Sequence, residues 1–142
     1  KLNSDKASSS HTHDDRYYKK TEINANKPKF STTQNSGTVP SRYGTDTMLS
    51  QLSLEPGIYI LIGFANIPAQ SNDGVGIIRL YRDTTGLSSQ TSRLSPYVGI
   101  YLTVTELVSE SSKFTAKCGV TQTSGSNATV NAGITAIRLG SV

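Results

Sequence analysis

The chain has 142 residues, enough for one ordinary domain with length to spare, and carries a formal net charge of +4. Its cations are scattered, with Lys19–Lys20 the only basic doublet, so no nucleic-acid footprint is expected. One cysteine, Cys118, excludes an intrachain disulfide, and no run is long and apolar enough to insert in a bilayer as a helix.

The chain begins at Lys1, not Met, which fits a processed chain or a piece of a longer one. Residues 1–10, KLNSDKASSS, are small and polar and alone predict disorder. Residues 11–23, HTHDDRYYKKTEI, gather both histidines and two adjacent tyrosines among charges. Thr21 is placed to cap a short helix over EINANK, ended by Pro28. Pro28, Gly37, Pro40 and Gly44 mark residues 28–47 as a linker with extended pieces.

From Met48 the pattern changes to short strands. LSQLSLEPGIYILIGFANI predicts a strand, a turn at Glu55-Pro56-Gly57 and an apolar strand whose continuous run suggests burial on both faces. A turn at Ser71–Gly74 precedes the strand VGIIRLYRD, and Thr84–Arg93 reads as a polar loop. In YVGIYLTVTEL, Val98, Ile100, Leu102 and Val104 share one face. In KFTAKCGVTQT, Phe114, Ala116, Cys118 and Val120 face inward, while Lys113, Thr115, Lys117 and Thr121 face water. Ser124–Asn127 reads as a hairpin turn, and ATVNA and GITAIRLG as two closing strands. Six to eight strands at this spacing predict an all-β antiparallel sandwich or jelly roll over residues 48–142. A core of that size is modest, and assembly with other copies would help it.

Catalytic chemistry finds little support. The ten carboxylates show no paired pattern with glycosidase context. Both histidines precede the β region, which leaves no Ser-His-Asp set within it, and no phosphate-binding glycine loop opens a helix. Cys118 alternates with core residues and reads as a small buried apolar group. No catalytic residue is assigned.

The His pair has two readings. His11 and His13 are solvated or held in a turn, or, on an extended strand, face one point. Three chains on an axis would then offer six nitrogens. Octahedral coordination of that kind suits Fe(II), Ni(II) or Co(II) better than tetrahedral zinc. Tyr17 and Tyr18 would fill an interface, and Asp14, Asp15, Arg16, Lys19, Lys20 and Glu22 could pair across chains.

HTHDDRYYKKTEI resembles the His-x-His and DDRYY segments of bacteriophage tail fibres and receptor-binding proteins. PGIYILIGFANI, GVGIIRLYRD, KFTAKCGVTQTSGSNATV and ITAIRLG resemble the C1q/TNF-like heads of such fibres and of some bacterial surface filaments. The resemblance implies a parallel homotrimer on the virion, joined to the rest of the tail fibre. It would have an extended, intertwined neck over residues 1–27, a linker over 28–47 and a jelly-roll head over 48–142. The head would bind a bacterial surface receptor, a saccharide or a protein. An iron ion held on the axis by His11 and His13 of three chains is implied as well. Exposed aromatic and basic residues on loops, Tyr81, Arg82, Arg93 and Tyr97, are the receptor-binding candidates. A purely structural trimerisation head and a surface-glycan hydrolase are the alternatives.

Overall fold

Period-2 alternation builds strands over most of the chain. The computed structural model describes residues 27–41, 46–68, 74–94, 98–121 and 127–142. His11, His13, Tyr97 and the expected helix after Thr21 lie outside them. Eight strands form: β1 (Lys29–Val39), β2 (Thr47–Leu54), β3 (Gly57–Ile67), β4 (Val75–Arg82), β5 (Thr85–Arg93), β6 (Val98–Val108), β7 (Ser112–Thr121) and β8 (Ala128–Gly140). They make two four-stranded sheets, ordered β1-β8-β3-β6 and β2-β7-β4-β5. All pairings between these strands are antiparallel, and the molecule is an all-β sandwich. No helix among the described residues is long and apolar enough to cross a membrane.

The core lies between the sheets. Leu61, Ile67 and Ile134 of one sheet face Ile78, Leu80 and Phe114 of the other, all fully buried. Each such side chain contributes about 1.5–3 kcal/mol by leaving water. The inward set expected on β7, Phe114, Ala116, Cys118 and Val120, is buried as the alternation demands.

Several boundaries differ from the sequence expectation. The linker expected over residues 28–47 contains β1, which pairs with β8 from Lys29↔Arg138 to Val39↔Ala128. The β-sandwich therefore includes residues from Lys29 onward. Polar on both faces apart from Phe30 at its start, β1 is an edge strand held by main-chain hydrogen bonds, with Val39 as its buried anchor. The loop expected over Thr84–Arg93 contains β5, an edge strand of the same polar kind. Ser124–Asn127 does not join a hairpin, because β7 and β8 belong to different sheets. Only β4 and β5 are both consecutive and paired among the described strands. Asp83, at φ 52, takes the left-handed conformation their turn requires. Its N–H donates to Lys113 O (2.7 Å) and its Oδ1 accepts from Lys113 N–H (3.1 Å), which fastens the turn to β7.

The two closing strands are one, β8, of 13 residues. Gly133 is not a break between them. A Cβ there would collide with Thr33 O on β1 and lie 2.6 Å from the Phe64 ring. The glycine permits close approach, not a turn.

Chain order gives the sandwich two distinct ends. At the entry end, β1 starts, β8 finishes, and the β2–β3, β4–β5 and β6–β7 connections turn. At the far end, β1 finishes, β8 starts, and the β1–β2, β3–β4, β5–β6 and β7–β8 connections leave.

Candidate functional site

The three receptor-binding candidates within the described residues, Tyr81, Arg82 and Arg93, do not form one cluster. Tyr81 and Arg82 are neighbours on β4 and project to opposite faces. Tyr81 lies on the outer surface of the β2-β7-β4-β5 sheet, with Lys117 Nζ 4.3 Å from its ring centroid. Arg82 points between the sheets. It donates to Ser112 Oγ (3.2 Å) and Leu107 O (3.3 Å), and lies 3.7 Å from Glu106. The guanidinium thus ties β4 to β6 in the opposite sheet. Arg93 sits at the far end, paired with Val75. Six residue steps along β4 lead from that position to Tyr81, about 20 Å at ~3.3 Å per residue.

What the structure gathers around Tyr81 is basic and polar. Arg79 pairs with Asp46. A groove of about 270 Å³ runs between Arg79, Tyr81, Gly86 and Ser89. Beside Tyr81, the sequence signal for this patch was Lys117, as an outward residue of β7. Directly behind it, burial pushes the Cys118 thiol up to about 12, with the Asp46 carboxylate adding to the effect. The thiol stays protonated and inert.

The opposite sheet has a different outer surface. β3 presents Ile58, Ile60, Ile62 and Phe64 outward, half-buried or exposed, so the expected burial on both faces is not reached within one chain. Cross-strand register extends the patch. Phe30 and Ile60 flank Ile137, Phe64 faces Tyr101, and Ile58 faces Leu107. Phe30 is 70% exposed, Tyr101 63%, Leu107 58% and Leu139 50%.

At its far end this apolar surface becomes polar. One row across all four strands reads Ser36, Asn131, Asn66, Gly99. A hollow of about 300 Å³ lies on it, lined also by Ile67, Pro68, Val98 and Thr129. Asn131 Oδ1 is buried there without a hydrogen-bond partner. The other such atom among the described residues is Arg138 Nε, at the entry end, though Arg138 Nη2 donates to Pro56 O at 2.8 Å. Neither asparagine was singled out from sequence. The available signal was a lone amide interrupting each of two apolar strands, GFANI and TVNAG.

Among the described residues no group of three or more His, Cys, Asp or Glu could hold a metal ion. No protein-family profile matches the chain, and no curated protein matches it. A solved structure described as "Structure of infectious bursal disease virus Gx strain" is similar at a TM-score of 0.57 and 8% identity, over 82% of this chain. This chain spans 34% of that one. The likeness is one of fold: a two-sheet antiparallel β-sandwich.

Proposed function

We propose that this chain is the tip of a trimeric fibre, a bacteriophage tail fibre or receptor-binding protein, whose head adheres to a bacterial surface. The strand orders β1-β8-β3-β6 and β2-β7-β4-β5 are read as a jelly roll of the C1q/TNF-like kind. The observation that carries the reading is the apolar outer surface of the β1-β8-β3-β6 sheet. Four strands of about eleven residues span roughly 700 Å². A standard protein interface covers about 800 Å² per partner. Apolar rows such as Phe30–Ile137–Ile60, Ile58–Leu107 and Phe64–Tyr101 cover part of that face, and contiguous exposed apolar patches mark interaction surfaces.

Identical copies are the occupants this reading assigns to the surface. Residues 1–27 enter β1 at the end where the patch is most apolar, beside Phe30 and Ile137. A neck that ties three chains together would bring these surfaces face to face. Adhesion then gains from avidity, because three weak head sites act at once. The proposed role is binding, without a catalytic step.

Sedimentation velocity at micromolar concentration tests the assembly. A trimer mass is expected, and a monomer removes the reading. Labelled protein incubated with a panel of bacterial strains tests adhesion. If a trimer binds none of them, the purely structural head gains. Shortening of host polysaccharide on incubation would favour the hydrolase.

The neck reading assigns an axial iron ion to His11 and His13 of three chains. Two imidazoles per chain complete an octahedral set only where three chains meet. Elemental analysis should find about one transition-metal ion per three chains. The double substitution His11→Ala, His13→Ala should lower Tm if the ion is structural, and an unchanged Tm favours a solvated pair.

A further inference from the structure

The hollow at the far end of the β1-β8-β3-β6 sheet has the chemistry of a ligand site. We propose that it is a subsite for one neutral, hydroxyl-bearing sugar ring of a surface polysaccharide. This rests on the adhesion reading and names where and what the head would bind.

Its position comes first. The apolar rows that copies of the chain would cover, Phe30–Ile137–Ile60 and Ile58–Leu107, lie toward the entry end. The Ser36–Asn131–Asn66–Gly99 row lies beyond them, where four inter-strand connections leave and the fibre would meet its target. Its volume of about 300 Å³ matches the lower end of small-ligand pockets, ~300–1,000 Å³.

The lining sets the ligand class. Ile67, Pro68 and Val98 supply apolar surface, while Ser36, Thr129, Asn66 and Asn131 supply hydroxyls and amides. No charged side chain lines the hollow, so phosphate or carboxylate would find no counter-charge there. Gly99 leaves room that two polar groups approach. A Cβ at position 99 would stand 3.3 Å from Asn66 Oδ1, 3.4 Å from the Tyr101 hydroxyl and 3.1 Å from the Tyr101 ring. An aromatic ring beside amides suits a sugar, whose C–H faces are apolar and whose rim is hydroxylated.

Asn131 Oδ1 supplies the independent observation. A buried acceptor without a donor is costly, and native structures resolve nearly all of them with protein, water or ligand. A sugar hydroxyl donating to it would remove the deficit and fix the ring's orientation.

The test uses the isotope-labelled full chain, titrated with methyl glycosides of glucose, galactose, mannose and N-acetylglucosamine into the millimolar range. NMR follows the side-chain amides of Asn66 and Asn131 and the N–H of Gly99. At least one glycoside should give saturable shifts at these groups. Asn131→Ala and the more conservative surface change Asn66→Ala should each weaken binding about tenfold, the equivalent of one lost hydrogen bond. Thr91→Ala, on the opposite sheet, should leave glycoside binding unchanged. Inorganic phosphate and galacturonate should give no saturable shift. The inference is overturned if no glycoside saturates, if the substitutions leave binding unchanged, or if only the charged probes bind. It is also overturned if the Asn66 and Asn131 signals move only on dilution of an oligomer, since a second copy then fills the hollow. Adhesion to cells is measured on the same protein. Adhesion that survives Asn131→Ala overturns the subsite and leaves the adhesion reading standing. Saturable glycoside binding by a protein that adheres to no strain does the reverse.

Discussion

The two outer surfaces of the sandwich obey opposite rules. On β7 the outward residues are Lys113, Thr115, Lys117 and Thr121, and the patch around them is basic and polar, although Thr115, expected to face water, is buried and accepts from Gln51 Nε2 (3.3 Å). On β3 the outward residues are Ile58, Ile60, Ile62 and Phe64, followed by Asn66 at the far end. Both strands bury an equivalent inner face, so the core does not explain the difference. Sheets with one wet face normally alternate polar and apolar residues. A strand that keeps apolar residues on its outer face has a second surface to satisfy.

The largest expected effect comes from placing a charge on each surface in turn. In a trimer built on the apolar surface, Ile60→Lys buries an unpaired charge, at a cost of roughly 3–5 kcal/mol. Sedimentation should then show monomers, whereas Thr91→Lys on the polar sheet should leave the mass unchanged. If both variants keep the wild-type mass, the contrast between surfaces has no part in assembly.

Glycines sharpen the comparison next. Gly133→Ala forces a Cβ against Thr33 O and the Phe64 ring, which should cost about 1–3 kcal/mol and lower Tm by several degrees. Gly86→Ala, on the polar sheet, places its Cβ at an ordinary 3.6 Å from Tyr81. That change should fall within about 0.5 kcal/mol of wild type, since the lost unfolded-state entropy offsets small strain. Thermal unfolding of the pair separates the two.

The polar sheet is itself two-sided, as Lys117 and Cys118 show. Cys118 is fully buried, with its folded pKa raised from 9.0 to about 12. Above pH 9 the unfolded chain gives up a thiol proton that the folded chain keeps. This contribution to stability is therefore complete below pH 9 and declines as pH rises toward 12, by at most about 1.4 kcal/mol per pH unit. Cys118→Ala should flatten that part of the pH–Tm curve. The native thiol should also resist alkylation at pH 8 and react once the chain is unfolded. The smallest effect belongs to Lys117→Ala, which removes the cation over Tyr81 and should cost about 0.5–1 kcal/mol in chemical denaturation.

Legibility in the sequence followed burial. β6 and β7 were readable because Ile100, Leu102, Phe114 and Cys118 recur at period 2 into a core. β1 and β5 were not, because edge strands rich in Ser, Thr and Gln are held by main-chain bonds that composition does not register. Gly133 divided β8 on paper, since a glycine chosen for close approach looks the same as one chosen for a turn. Sheet exchange between β7 and β8 was equally hidden, because a polar connection does not say which sheet follows. At the candidate sites, Tyr81 was visible as an outward aromatic. Arg82 could not be told apart from it until register turned its guanidinium toward Ser112 and Glu106. The Asn66–Asn131 pair depends on strands 65 residues apart aligning, which no local pattern encodes.

The eleven register pairs of β1 on β8 also have a mechanical meaning. In a fibre anchored through residues before Lys29 and gripping its target at the far end, tension runs along the axis of β1. Its hydrogen bonds to β8 lie across that line. Load would shear all of them together instead of opening them one at a time from an end. An edge strand with almost no buried side chains, weak by every measure of packing, becomes a strong coupling when pulled lengthwise.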